Sequence, residues 1–153
     1  MSFRIESAGF AEGAPIPARY TADDRDLSPP LRWAGAPEKT RSFALVCDDP
    51  DAPAGTWVHW VLYNVPADRR ELPEGVPALG DLPDGSRQGV NDFRRVGYGG
   101  PSPPPGKPHR YFFRLYALDE MLQLKEKGTK KDLAAAMKGH VLAEAQLLGT
   151  YRR

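Results

Sequence analysis

Three strand-length runs, Ser42 to Asp48, Trp57 to Val65 and Arg110 to Leu118, set the strongest pattern in the chain. The first is apolar without interruption from Phe43 to Cys47, as a central strand covered on both faces requires. In the second, simple alternation puts Trp57, His59, Val61, Tyr63 and Val65 on one face and Val58, Trp60, Leu62 and Asn64 on the other. The third is aromatic on both faces, with Tyr111 and Phe113 opposed to Phe112 and Tyr116. Shorter patterns at Ser2 to Ser7, Leu31 to Trp33 and Val141 to Arg152 read as further strands. Only one segment has helical spacing. Thr129 and Asp132 stand at capping-box distance, Leu133, Ala134 and Met137 form an apolar stripe, and Gly139 suits a left-handed cap. Gly (15) and Pro (16) make up about a fifth of the 153 residues, well above the ~12% of an average chain. These features predict an all-β-dominated single domain over 1–153. Its architecture is an antiparallel β-sandwich of two sheets, with one or two short helices near the C-terminus.

Charge and cysteine content remove several functional classes. Lys and Arg (21) nearly cancel Asp and Glu (20), so a strongly basic nucleic-acid binder is excluded. Cys47 is alone and makes no internal disulfide; it reads as a buried strand thiol. No apolar run reaches membrane-spanning length and no signal-like segment opens the chain, so a cytoplasmic location is expected. The CxxC, HExxH, P-loop and GxGxxG signatures are all absent, and no cofactor is expected. The run Lys125, Lys127, Lys130 and Lys131 reads as a solvated approach to the helix, and His140 as a surface residue beyond the cap.

Residues able to do chemistry gather at the ends of the three strong strands. Asp48-Asp49-Pro50-Asp51-Ala52-Pro53 closes the first in a stiff turn, where the bonds before Pro50 and Pro53 are candidates for the cis form. Two-residue spacing lets Asp49 and Asp51 project to one side. His59 lies among large apolar neighbours. His109 and Tyr111 share a face at the start of the third strand. From Pro66 to Pro108 the chain has almost no periodicity, which marks a functional loop. Within it, Gly97-Tyr98-Gly99-Gly100 precedes a proline-rich stretch, and glycines there can aim N–H groups at a ligand.

Two blocks, Asp49-Pro50-Asp51-Ala52-Pro53 with Thr56 to Pro66, and Gly97 to Pro101 with Pro103, Pro104, Gly106 and His109-Arg110-Tyr111, resemble the signatures of the phosphatidylethanolamine-binding protein (Raf kinase inhibitor-like) family. Ala136 to Ala143 is similar to its bacterial and archaeal YbhB/YbcL-like branch. The resemblance implies a β-sandwich carrying an anion pocket lined by Asp49, Asp51, Trp57, His59, Gly99, Gly100, His109 and Tyr111. Its ligand would be a phosphate-like or carboxylate anion, or a phospholipid head group. A kinase or protease partner and a homodimer are further expectations it brings. Ser102 stands where many bacterial relatives carry cysteine. The sequence closes at Tyr151-Arg152-Arg153, without the helix that flanks the pocket in animal members, so inhibition of a Raf-type kinase is not expected to carry over.

On this reading the two aspartates orient and charge the imidazoles, while His59 or His109, Tyr111 and the glycine N–H groups face the anion. The alternative is a metal- or Asp/His-assisted hydrolase acting on a small phosphoryl or acyl substrate. No activated nucleophile is evident, and catalysis is not expected.

Overall fold

A computed structural model describes residues 2–153. Eight strands form two antiparallel sheets: β1 (Arg4–Glu6), β2 (Leu31–Ala34) and β5 (Glu71–Leu72) in one, ordered β1-β2-β5. The other runs β6-β4-β3-β7-β8, from β3 (Ser42–Asp49), β4 (Trp57–Pro66), β6 (Arg87–Gln88), β7 (His109–Leu118) and β8 (Val141–Tyr151). One α-helix, α1 (Lys130–Met137), and a single 3₁₀ turn at Ala18–Tyr20 complete the regular structure of the described residues. The short strands β5 and β6 lie in the aperiodic 66–108 stretch, where two-residue strands leave no period to read.

Strand β3 is buried along its whole length because the large sheet is covered on both faces. One face meets the small sheet through Phe43, Leu45, Cys47, Trp60, Leu62, Phe113 and Leu115. The other packs Ala44, Val46, Val61 and Tyr63 under Leu122, Leu133 and Met137. Cys47 is buried, and burial pushes its thiol pKa well up, which keeps it protonated and unreactive.

The capping box is complete: Thr129 accepts the Asp132 N–H, and the Asp132 carboxylate accepts the Thr129 N–H at 2.9 Å. Gly139 follows at φ 84°, as a left-handed cap requires. The lysine run differs from its expected role at one position. Lys130 Nζ reaches back 3.0 Å to Asp48, a carboxylate only 1% exposed, which Arg114 also grips. His140 does lie at the surface, paired with Asp119 and Glu120. The peptide bonds before Pro50 and Pro53 are trans, as are all others among the described residues.

Simple alternation fails in β4. Cys47 pairs with Trp60, yet the next β3 residue, Asp48, pairs with Val58, so His59 is an extra residue with no partner across the ladder. A second irregularity falls between Phe43 and Leu45, opposite Asn64, which adopts φ 57° and exchanges hydrogen bonds with Leu122. Trp60, Leu62 and Val65 therefore share the inter-sheet core, while Val58, Val61 and Tyr63 join the helix side. Bulges commonly re-aim a side chain beside a site. Here the re-aimed residue is His59.

Candidate functional site

Because β3 runs antiparallel to β4 and β7, the end of β3 and the starts of the other two meet at one end of the large sheet. There they form a cleft of about 340 Å³. Asp49 ends β3, Trp57 and His59 begin β4, and His109 and Tyr111 begin β7; all five line it. Adjacent Asp48 points to the opposite face, towards Lys130, as strand alternation dictates. Sequence reasoning missed the apolar mouth, built by Ala52, Pro53, Ala54, Phe93, Pro103 and Pro104. Phe93 sits in the aperiodic loop and carries no motif, so only tertiary packing reveals it.

The two imidazoles are held differently. His109 Nδ1 lies 2.7 Å from Asp49 Oδ2, and Asp49 Oδ1 accepts the Asp51 N–H at 2.7 Å. His59 Nδ1 lies 2.6 Å from the Gly99 carbonyl, while the Gly99 N–H donates to the His59 carbonyl at 2.9 Å. A carbonyl only accepts, so His59 carries its proton on Nδ1 and turns a lone pair on Nε2 outward. Burial holds the His59 pKa below its ordinary value, with the Gly99 carbonyl and Asp49 opposing that shift. His59 is therefore neutral at pH 7. The expectation that carboxylates position both rings fits Asp49 with His109; a backbone carbonyl does that work for His59.

Three of the predicted site residues stand outside the cleft lining. Asp51 forms a bidentate pair with Arg110 (Nε–Oδ2 2.9 Å, Nη2–Oδ1 3.0 Å) and also accepts the Arg110 N–H. These bonds lower its pKa and fasten the 49–55 turn to the start of β7. Gly99 and Gly100 spend their N–H groups within the protein, on the His59 carbonyl and on Asp26 Oδ1. Both are glycine for lack of room. A Cβ on Gly99 would meet the Phe93 ring at 2.5 Å, and one on Gly100 would meet Asp26 Oδ1 and the Tyr20 carbonyl at 2.5 Å. Neither glycine offers its N–H to the cleft.

Two buried donors on lining residues are unused. Tyr111 O–H and Trp57 Nε1–H are buried and have no hydrogen-bond partner, whereas such groups are nearly always paired. Burial, then the charge of Asp49, which lies near the hydroxyl but outside hydrogen-bond geometry, raises the Tyr111 pKa far above the ordinary phenol value, so its hydroxyl stays a donor. Aromatic contacts fix the frame: Phe93 meets Trp57 and His59 edge-on, with centroids at 5.5 and 5.3 Å. Among the described residues, no group of three or more His, Cys, Asp or Glu side chains is placed to hold a metal ion. Among the described residues, no helix is long and apolar enough to cross a membrane.

The family model for phosphatidylethanolamine-binding protein matches residues 6–152. A UPF0098 protein of Methanothermobacter thermautotrophicus is 54% identical over 149 residues, covering 97% of this chain and 98% of that protein. One from Aquifex aeolicus is 48% identical, covering 97% and 88% respectively. Among solved structures, Escherichia coli YbcL superposes with a TM-score of 0.93 at 31% identity, covering 100% of this chain and 99% of that one. A phosphatidylethanolamine-binding protein homologue from Chlamydia trachomatis gives 0.90 at 37% identity, covering 99% and 98%.

Proposed function

The chain belongs to the phosphatidylethanolamine-binding protein family, and from that premise we propose that its cleft binds a small oxyanion, phosphate-like or carboxylate, without transforming it. The observation that carries this reading is the pair of unpartnered buried donors, Tyr111 O–H and Trp57 Nε1–H, on two residues that line the same cleft as two imidazoles. An oxyanion satisfies both at once. The apolar mouth keeps water away from those bonds and strengthens them. A cleft of about 340 Å³ exceeds what an inorganic oxyanion needs, leaving room for an ester substituent such as a head group against Pro53, Pro103 and Pro104.

Asp49 would repel an anion, and the geometry supplies the counterweight. Its Oδ2 is occupied by His109 Nδ1 and its Oδ1 by the Asp51 N–H. His59 Nε2, a lone pair in the free cleft, becomes a donor only when the ring is protonated. Binding of a fully ionised oxyanion is thus coupled to proton uptake. Two or three charge-assisted bonds of roughly 1.5–3 kcal/mol each give millimolar to micromolar affinity once association costs are met. Such a site suits sensing a head group or holding a phosphorylated side chain of a protein partner, in a cytoplasmic setting.

Calorimetry with inorganic sulfate, whose charge is constant from pH 5 to 8, tests the coupling. Affinity rises as pH falls through this range, with net proton uptake in buffers of different ionisation heat. Affinity that climbs steadily with pH overturns the mechanism.

A further inference from the structure

Beside the cleft, one guanidinium stands between two partners. Arg153 Nε and Nη2 donate to Asp23 Oδ1 at 2.9 and 2.6 Å, and Nη2 also donates to Ser102 Oγ at 3.2 Å. Ser102 lines the cleft, which puts the cation at its rim. The attachment is not accidental to the chain's path. Tyr151 pairs across the sheet with His109, and its hydroxyl donates to the same Asp23 at 2.7 Å. The positive charge is felt inside as well: Arg153 opposes part of the rise that burial and Asp49 impose on the Tyr111 hydroxyl.

Inside, the charges leave a deficit. Asp49 is hydrogen-bonded to His109, His59 is neutral when free, and Tyr111 and Trp57 are neutral donors. One imidazole proton can balance a singly charged ligand, but nothing in the interior balances a second negative charge. Resting on the reading of the cleft as an anion site, we propose that Arg153 recognises the second charge of a doubly charged oxyanion, leaving Asp23 for the ligand's outer oxygens. Arginine's planar fork and long stem suit that exchange. With a side chain about one-third exposed, Arg153 can turn without disturbing the core. Asp23 is its resting partner and the ligand's competitor. The ligand class selected is a phosphate monoester or similar dianion over a singly charged carboxylate.

The test uses sulfate as the dianion and acetate as the monoanion, with affinities measured on the full chain and on Arg153→Gln, Asp23→Asn and the double variant. Arg153→Gln weakens sulfate about three- to tenfold and acetate less than about twofold. Asp23→Asn strengthens sulfate severalfold, because Arg153 is released from a competitor. In the double variant that gain disappears. Arg153→Lys, which keeps the charge on a flexible stem, retains part of the sulfate preference and serves where thermal unfolding shows the glutamine variant to be damaged. An unchanged sulfate-to-acetate ratio in Arg153→Gln overturns the proposal. So does a gain from Asp23→Asn that persists without Arg153, which would make Asp23 a simple repelling charge. If the unmodified protein binds neither probe, the anion reading falls and the role of Arg153 with it.

Discussion

Replacing Asp49 by Asn keeps the side chain's shape but forces a choice on its hydrogen bonds. Asp49 Oδ1 accepts the Asp51 N–H and Oδ2 faces His109 Nδ1, each at 2.7 Å. An amide has only one oxygen. The Asp51 N–H can only donate, so the Asn oxygen must stay there and the NH₂ must turn to His109. The imidazole can meet that donor only with a lone pair, so its proton moves from Nδ1 to Nε2. Each bond changes from charge-assisted, roughly 1.5–3 kcal/mol, to neutral, about 0.5–1.5 kcal/mol, a loss near 2 kcal/mol for the two. Asp49 is 3% exposed, so solvent offers little compensation. At about 3 °C per kcal/mol for a chain of this length, Tm falls by about 6 °C. The assay is nitrogen-detected NMR of the histidine rings with thermal unfolding alongside. The unmodified protein shows His109 protonated on Nδ1, and Asp49→Asn shows a neutral ring protonated on Nε2. A His109 tautomer that survives the substitution refutes the reasoning.

Other perturbations separate structural from ligand-facing groups. Gly100→Ala puts a Cβ 2.5 Å from both Asp26 Oδ1 and the Tyr20 carbonyl, so urea unfolding should show a loss of about 1–3 kcal/mol. Asp48→Ala removes the carboxylate that Arg114 and Lys130 share; because both cations keep about a third of their side chains in solvent, the cost is about 1–3 kcal/mol. Lys130→Ala, by contrast, leaves Arg114 in place and costs under about 1 kcal/mol, so equal losses would contradict this account of the triad. His59 gives a pH signature. Because its folded pKa is depressed, its contribution is full above the ordinary value of 6.5 and is lost as pH falls from there through the folded pKa. The urea midpoint of the unmodified protein should drop between pH 7.5 and 5 more than that of His59→Gln.

Legibility in the sequence tracked the distance over which each feature is decided. The buried strand Ser42–Asp49 and the Thr129 capping box depend on near neighbours, and both were readable from spacing alone. The faces of β4 were not. The bulge at His59 is set by how Cys47 and Asp48 pair across the sheet, and no period within β4 announces it. Asp49, His59, His109 and Tyr111 stand at strand ends, so an antiparallel sheet brings them to one end. Their hydrogen-bond partners followed a different logic. Arg110 claims Asp51, and Asp26, over seventy positions away in sequence, claims the Gly100 N–H. Neighbouring letters record neither contact.

The most direct test of the cleft as a single oxyanion site uses its three tryptophans. Trp33 Nε1 donates to the Arg69 carbonyl at 3.0 Å and Trp60 Nε1 to Gln88 Oε1 at 2.7 Å, while Trp57 Nε1 has no partner. Titrating sulfate into nitrogen-labelled protein should move the Trp57 indole N–H resonance downfield and saturably, together with the ring signals of His59 and His109. The Trp33 and Trp60 indole signals should stay in place. A Trp57 signal that does not respond while anion binding is measured by calorimetry would put the ligand elsewhere and contradict the account.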